Sequence, residues 1–241
     1  MSQSTTAEAA KSEYTFDDLS VVMGTYNEEA AIGTVLEDID RITDGRAEVV
    51  CVDGSSDRTP EIAREHGARV IVQEPQGYGV AVEAALHAAD RPVIVTTDCD
   101  DTYPMEALPE FLETINDGAD VVSGDRLYHG ARTMPAFNRF GNHSFAALAS
   151  LLLGSRVHDT TTGMRAYRAE VIESIEWTEN TGLSAELLMR PIFRGYDVRE
   201  RPIEYSERAG AFASLALGLT GAVTAALLPW LWPVISGWLQ L

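Results

Sequence analysis

Glu48-Val49-Val50-Cys51-Val52-Asp53-Gly54-Ser55-Ser56-Asp57-Arg58-Thr59 is the stretch on which the fold turns. Residues 49–52 are apolar without interruption. A strand with one wet face alternates, so an unbroken run reads as a strand covered on both faces. A polar turn follows, then a helix expected over 59–66, then a second apolar run at 69–72. Strand, turn, helix and strand make one βαβ step. The same unit recurs on both sides of this stretch. Strands are expected at 19–23, 92–97 and 120–123, and helices at 28–39, 79–89 and 106–115. This predicts an α/β, Rossmann-like and mostly parallel sheet with helices on both faces. Beyond residue 124 the regularity lapses. There we expect a helix over 138–153, a loop at 157–162, a short strand at 164–167, a helix over 183–193 and a strand over 198–205. No internal repeat is evident.

In doubly wound sheets, ligands bind outside the carboxyl ends of the strands. Three polar, acid-bearing segments follow three of the strands: Gly24-Thr25-Tyr26-Asn27-Glu28, Asp53 to Thr59, and Asp98-Cys99-Asp100-Asp101-Thr102-Tyr103-Pro104. Taken singly, Asp57 or Thr59 is an ordinary helix cap and Gly54-Ser55 an ordinary turn. Three such loops in order at one edge point to a binding site. Within them, Asp98 and Asp100 are two apart, and on extended chain such side chains face the same way. Two hard carboxylates aimed at one point suit Mg²⁺ or Mn²⁺, with diphosphate oxygens and water completing the shell. A divalent ion there stabilises the charge that develops on a diphosphate leaving group.

The composition is that of a globular chain of 241 residues, 45% hydrophobic and 23% charged, but with 37 acidic against 18 basic residues and a net charge of −19. Such a surface repels nucleic acid, so no nucleic-acid partner is expected. The acids are scattered along the chain, as in proteins that work in concentrated salt, where the Debye length falls to about 3 Å at 1 M. Cys51 and Cys99 sit in or beside apolar runs and suggest no disulfide framework, which fits a reducing compartment. Residues 1–14 are polar and lack the basic-then-apolar pattern of a signal peptide; we expect a disordered tail.

With these motifs in hand, the chain resembles the family 2 glycosyltransferases of the GT-A fold. More narrowly it is similar to the dolichyl-phosphate mannose and glucose synthase branch, and its composition fits a haloarchaeal member. Gly24 to Glu28 resembles the opening P-x-Y-N-E, with Gly24 in place of the usual proline. Asp53 to Thr59 matches D-G-S-x-D-x-T, Asp98-Cys99-Asp100 stands for D-A-D, and Gly163-Met164-Arg165-Ala166 resembles G-F-R-A. The match spans residues 19–208. Carried over position by position, it implies that Thr25, Tyr26, Glu28, Asp53 and Ser55 hold the nucleotide. It implies that Asp98 and Asp100 bind the metal and the diphosphate. It implies that Arg126, Arg139 and Arg208, with Asp100, are the catalytic group, the arginines gripping phosphates of the donor or acceptor, for which the rigid guanidinium fork is suited. Arg165 is expected to brace the site from behind. Two positions depart from the family pattern: Thr102 stands where an amide often completes the metal shell, and Ala213-Ser214-Leu215 lacks the lysine of S-K-L.

The acceptor bears on mechanism. A hydroxyl acceptor needs a general base, and Glu186 is the candidate, although Arg190 lies one helical turn on and would pair with it. A lipid monophosphate needs no base, because its second pKa of about 6 leaves it largely dianionic. From Ala209 to Leu241 no residue is charged, and Trp230, Trp232 and Trp238 are typical of a membrane interface. The expected organisation is therefore a tail (1–14), a GT-A domain (15–208) and an apolar membrane-contacting segment (209–241). The expected activity is an inverting hexosyltransferase at the cytoplasmic face of the cell membrane. It would move a sugar from a UDP- or GDP-hexose donor to dolichyl (polyprenyl) phosphate, for protein N-glycosylation. Transfer to a sugar hydroxyl of a growing glycan and a non-catalytic nucleotide-sugar-binding subunit remain the alternatives. A plain dinucleotide-binding protein is disfavoured because no G-x-G-x-x-G follows the first strand.

Overall fold

The computed structural model describes residues 13–128, 136–177 and 182–204. Its strands are β1 (Leu19–Thr25), β2 (Glu48–Asp53), β3 (Arg69–Val72), β4 (Val93–Thr96), β5 (Val121–Asp125), β6 (Arg165–Arg168) and β7 (Val198–Pro202). They form one sheet in the order β3-β2-β1-β4-β6-β5-β7. β1 to β4 are mutually parallel, as are β5 and β7. β6 runs antiparallel to both its neighbours, β4 and β5. The strand order reverses at β1, between β2 and β4, which places the crevice of a doubly wound sheet at the ends of those strands.

The helices are α1 (Ile32–Thr43), α2 (Thr59–Glu65), α3 (Tyr78–Ala88), α4 (Leu108–Asn116), α5 (Ala136–Leu153), α6 (Ala169–Ser174) and α7 (Leu183–Arg194). Strand alternation sorts the apolar residues into two cores. Leu19, Val21 and Met23 of β1 join one core with Ile32, Val35, Leu36 and Ile39 of α1 and Phe111 and Ile115 of α4. The α1 residues recur at the spacing of one helical stripe. Val22, Val50 and Val52 face the other way, onto Val82, Ala85 and Leu86 of α3, with α6 and α7 alongside. Both faces are thus covered, which is why the β2 run is apolar throughout. Pro60 and Pro109 open α2 and α4, where a missing N–H costs nothing.

The sheet departs from the sequence reading in three places. α1 begins at Ile32, not near Glu28, because side chains of the second loop take up the backbone N–H groups of residues 27–29. α6, only six residues long, was not anticipated, being too short to show a period. The strand expected at 164–167 forms, but as a buried wedge between β4 and β5. Arg-Ala-Tyr-Arg is an unusual sequence for a central strand, and it is buried throughout. It is stable there because each guanidinium is fully engaged. Arg168 donates to the carbonyls of Ala119 (3.0 Å) and Ile115 (2.5 Å) and lies over the Tyr14 ring. Tyr14, assigned to the tail from sequence, is itself held by Asn116 through paired hydrogen bonds of 2.8 and 2.9 Å. The apolar segment 209–241 lies outside the described residues. Among the described residues no helix is long and apolar enough to cross a membrane.

Candidate active site

The loops after β1 and β2 are laced together. Thr25 Oγ1 and Ser55 Oγ both donate to Asp53 Oδ1, at 2.7 and 2.6 Å, and the Ser55 amide donates to Oδ2 at 3.1 Å. Asp53 is fully buried. Asn27 adopts a left-handed conformation, φ 57°. From there its amide donates to Ser55 Oγ (2.8 Å) and its side-chain oxygen accepts from the Ser56 amide (2.9 Å). The Glu28 amide donates to Thr59 Oγ1 at 2.8 Å, and Thr59 Oγ1 in turn donates to Asp57 Oδ1 at 2.6 Å. The D-G-S-x-D-x-T spacing therefore has a physical purpose. Its hydroxyls and carboxylates supply the hydrogen bonds that a non-helical segment 26–30 lacks.

Beside this platform lies a cavity of about 290 Å³, walled by Thr25, Tyr26, Gln73, Pro75, Gln76 and Tyr78. Its apolar rings, framed by amides, suit a nucleotide base. Gly24, which replaces a proline of the family pattern, has a structural reason: a Cβ there would sit 2.9 Å from Ala81 Cβ of α3.

Asp98 and Asp100 follow β4 at the next position along the edge. Thr102 donates to Asp100 Oδ1 through its amide (3.2 Å) and its hydroxyl (2.5 Å), so the residue is a clasp for the second aspartate. The Tyr78 hydroxyl donates to Asp98 Oδ1 at 2.8 Å. Burial pushes the Asp98 carboxyl up to about 6; the Asp100 charge adds to this, while the Tyr78 hydrogen bond and the Arg126 and Arg165 charges oppose it. Glu28 is also raised, by burial first and then by Asp100, Asp57 and Asp98. Asp98 is thus repelled by Asp100, and Glu28 by Asp100, Asp57 and Asp98; a hard divalent cation beside the Asp98/Asp100 pair would relieve that repulsion. The donor set fits such an ion. Among the described residues no three His, Cys, Asp or Glu side chains converge as a closed metal cage. The shell is therefore one that substrate oxygens and water complete, as Mg²⁺ and Mn²⁺ accept.

Since proton and cation compete for Asp98, the sign of the pH effect is fixed. A folded-state value raised from 3.8 to about 6 means that, without a cation, this group costs stability once it ionises, over the interval from about pH 4 to about pH 6. A cation removes that cost above pH 6. The gain in melting temperature from Mn²⁺ over EDTA should hold at pH 7 and shrink below pH 6. In Asp98→Asn the gain should be small at every pH, and an unchanged pH profile in that variant would exclude Asp98 as the competing group.

The far wall comes from the start of β6. Thr96 Oγ1 donates to the Gly163 carbonyl (2.8 Å), and the Gly163 amide donates to the Tyr103 hydroxyl (2.6 Å). Residue 163 has no room for a side chain, because a Cβ would lie 2.6 Å from Asp98 Oδ2. We expect Gly163→Ala to displace the Asp98 carboxylate and lower turnover by about 100-fold, the usual effect of an ångström-scale misplacement. Turnover within twofold of wild type would show that Asp98 tolerates the displacement. Arg165, 1% exposed, donates to Ser123 Oγ (3.0 Å), the Ser184 carbonyl (2.7 Å) and the Thr160 carbonyl (3.0 Å). It braces β5, α7 and the 157–163 loop behind the carboxylates, as the motif implied.

The structure thus brings Thr25, Glu28, Asp53, Ser55, Asp98 and Asp100 to one edge, with Tyr26 exposed at its rim. Arg126 lies near enough to Asp98 for its charge to lower that carboxyl. Its fork closes on buried Asp159 at 2.6 and 2.9 Å, and Nη2 donates to Thr161 Oγ1 at 2.7 Å. Burial works to raise the Asp159 carboxyl, but the Arg126 charge and hydrogen bonds overcome this and hold it below the usual carboxylate range. Arg139 falls in the first turn of α5, where the backbone is described. Arg208 lies outside the described residues. Glu186 is 8% exposed and ion-paired with Arg190 on its own helix. The sequence reading missed Tyr78, Tyr103 and Asp159. No spacing pattern marked them, because each meets its partner only in the fold: Tyr78 where α3 passes the loop after β4, Tyr103 and Asp159 at the loop that leads into β6.

A mixed α/β sheet with an acid-bearing edge at its switch point agrees with the GT-A class of fold that the motifs imply. The profile of the family Glycosyl transferase family 2 matches residues 20–176, and the chain belongs to that family and is a glycosyltransferase. It is 77% identical over 198 residues to a dolichyl-phosphate hexose transferase of Haloferax volcanii, covering 82% of this chain and 87% of the relative. It is 30% identical over 204 residues to the polyprenol monophosphomannose synthase of Mycolicibacterium smegmatis, covering 78% of this chain and 77% of that one. Among solved structures, glucosyl-3-phosphoglycerate synthase from Mycobacterium tuberculosis, in complex with Mn²⁺ and UDP-glucose, superposes with a TM-score of 0.69. Its identity is 24%, with 87% of this chain and 77% of that chain covered.

Proposed function

We propose that the chain is an inverting hexosyltransferase that moves a sugar from a UDP- or GDP-hexose to dolichyl (polyprenyl) phosphate, at the cytoplasmic face of the membrane, in service of protein N-glycosylation. The observation that carries this reading is the 77% identity, over most of both chains, to a dolichyl-phosphate hexose transferase. The site geometry agrees with it. The base cavity, the Asp53 platform and the Asp98/Asp100 pair lie in sequence along one edge, in the order base, ribose and diphosphate. A divalent cation held by Asp98 and Asp100 would supply charge neutralisation for the departing diphosphate.

In the reaction, a phosphate oxygen of the lipid attacks the anomeric carbon from the side opposite the diphosphate. The bond from that carbon to the diphosphate oxygen breaks, and its electron pair leaves with the nucleoside diphosphate. The dianionic nucleophile carries no proton to lose at neutral pH, so no general base is required. Glu186, the one side chain considered for that role, is occupied by Arg190. This supports a phosphate acceptor over a hydroxyl acceptor.

Helix α5 adds support for a lipid surface. Phe140, Phe145, Leu148, Leu151 and Leu152 are exposed along it. In a chain of net charge −19, no acidic residue occurs between Asp125 and Asp159, whereas Arg132, Arg139 and Arg156 do. Exposed apolar side chains in an acid-free, arginine-bearing segment fit an anionic bilayer interface.

The test incubates the purified protein with archaeal membranes, dolichyl phosphate, Mg²⁺ and radiolabelled UDP-glucose, UDP-N-acetylglucosamine or GDP-mannose in turn. Label in the organic phase as an acid-labile product, with one donor, is the expected result. Label only in a water-soluble glycan would move the case to a hydroxyl acceptor and to Glu186.

A further inference from the structure

We infer that Tyr78 is a positioning residue that ties the nucleotide cavity to the cation-binding carboxylate, so that each ligand sets the geometry for the other. This rests on the reading of Asp98 as a cation ligand. Tyr78 is the first residue of α3, and its ring, 46% exposed, forms one wall of the 290 Å³ cavity. Its hydroxyl reaches out of that cavity to Asp98 Oδ1 at 2.8 Å. On the other side of the same carboxylate, Oδ2 stands against the backbone of Gly163, with no space for even a methyl group between them. Among the described residues, the Asp98 carboxylate is thus held between the Gly163 backbone on one side and the Tyr78 hydroxyl on the other.

Partners behind a metal ligand fix its orientation, and losing one typically weakens metal binding about 10- to 100-fold. Here that partner is also a wall of the neighbouring pocket. A base seated against the ring holds the hydroxyl in place, and the hydroxyl holds the carboxylate. A cation on Asp98 holds the same chain of contacts from the other end. Such coupling is reciprocal, so the factor by which Mn²⁺ tightens nucleotide binding equals the factor by which nucleotide tightens Mn²⁺ binding. The sequence position itself is silent on this role. Gly77-Tyr78-Gly79 reads as a turn into a helix, and only the placement of β4 beside α3 brings the phenol to Asp98.

Tyr78→Phe tests the idea, since it keeps the ring and removes the hydroxyl. Three titrations of the full chain by calorimetry are needed: Mn²⁺ alone, UDP and GDP in EDTA, and the same nucleotides with Mn²⁺ saturating. We expect the variant to bind Mn²⁺ about tenfold more weakly. The nucleotide that binds wild type should bind the variant within twofold in EDTA, and its enhancement by Mn²⁺ should fall. A Mn²⁺ isotherm that superposes on wild type would overturn the inference. So would a nucleotide affinity in EDTA that drops as far as the Mn²⁺ affinity, because the hydroxyl would then act on the nucleotide directly. Asp98→Asn separates this inference from the function it rests on. If Asp98→Asn leaves Mn²⁺ binding intact, the cation site itself is wrong. If Asp98→Asn abolishes Mn²⁺ binding while Tyr78→Phe does not alter it, only the role of Tyr78 falls.

Discussion

Asp100→Ala should lower sugar transfer by about 1,000-fold and leave the fold intact. The magnitude is that of removing one preorganised group from a site where charge develops in the transition state, about 3–4 kcal/mol. The structure explains why stability should not follow. Asp100 is partly exposed and bonds to Thr102, two residues on, rather than to a distant element. Its charge raises both Asp98 and Glu28, so removing it eases a local repulsion. The melting temperature without a cation should therefore stay level or rise slightly, while the Mn²⁺-dependent increment is lost. Transfer measured into the organic phase and thermal melts with Mn²⁺ or EDTA check both halves. A variant with wild-type turnover would remove Asp100 from the cation site.

Asp159→Ala should give the opposite profile, a large loss of stability. The Asp159 side chain is fully buried and that of Arg126 is 8% exposed, and they meet through a two-pronged bridge. Removing one member of such a pair leaves an uncompensated buried charge and typically costs about 3–5 kcal/mol. For a chain of this size that is roughly 10 °C in melting temperature. Asp159 also accepts from the Thr161 amide at 3.1 Å, so the loop that carries Gly163 to Asp98 is loosened as well. The double variant Arg126→Met with Asp159→Leu removes both charges. It should recover most of the lost stability, since an apolar pair of similar volume replaces a buried ion pair at little cost. Its activity then reveals whether Arg126 does more than hold the loop. Recovered turnover would make Arg126 purely structural, and recovered folding without turnover would restore the phosphate role implied by its motif. If Asp159→Ala melts within 2 °C of wild type, the pair is not the lock described here.

The parts of this protein that are local in sequence were legible in it. The apolar run Val49-Val50-Cys51-Val52 is buried on both sides because helices cover both sides, and that signal is carried by four consecutive residues. The edge position of Asp53, Asp98 and Asp100 followed from the strand ends alone. What could not be read was the place of Arg165–Arg168. The short strand and the bracing by Arg165 were expected, but nothing nearby names the carbonyls of Ile115, Ala119, Thr160 and Ser184 that satisfy Arg165 and Arg168. For the same reason Arg126 resembled a free phosphate-binding group. Its partner lies 33 residues away, in the loop that leads into β6, whose place in the sheet no periodicity announces. Glu186 was the reverse case. An arginine four residues on made its pairing legible, and the structure shows that pair.

The reversal of β6 has a bearing on how the chain acquires activity as it folds. β1, β2 and β3 pair through single crossovers, Ser20 with Glu48 and Val50 with Arg69, and close modest loops. β4 reaches β1 through Leu19 and Val93, and β6 reaches β4 through Val93 and Arg168, two loops of similar and much greater length. Loop-closure entropy and the rate penalty on distant contacts place both of these pairings after the first three strands. The Thr25–Asp53 platform needs only β1 and β2, whereas Asp98 and the wall behind it need both distant pairings. On this order of events an immature chain would have its nucleotide platform before it had its cation site.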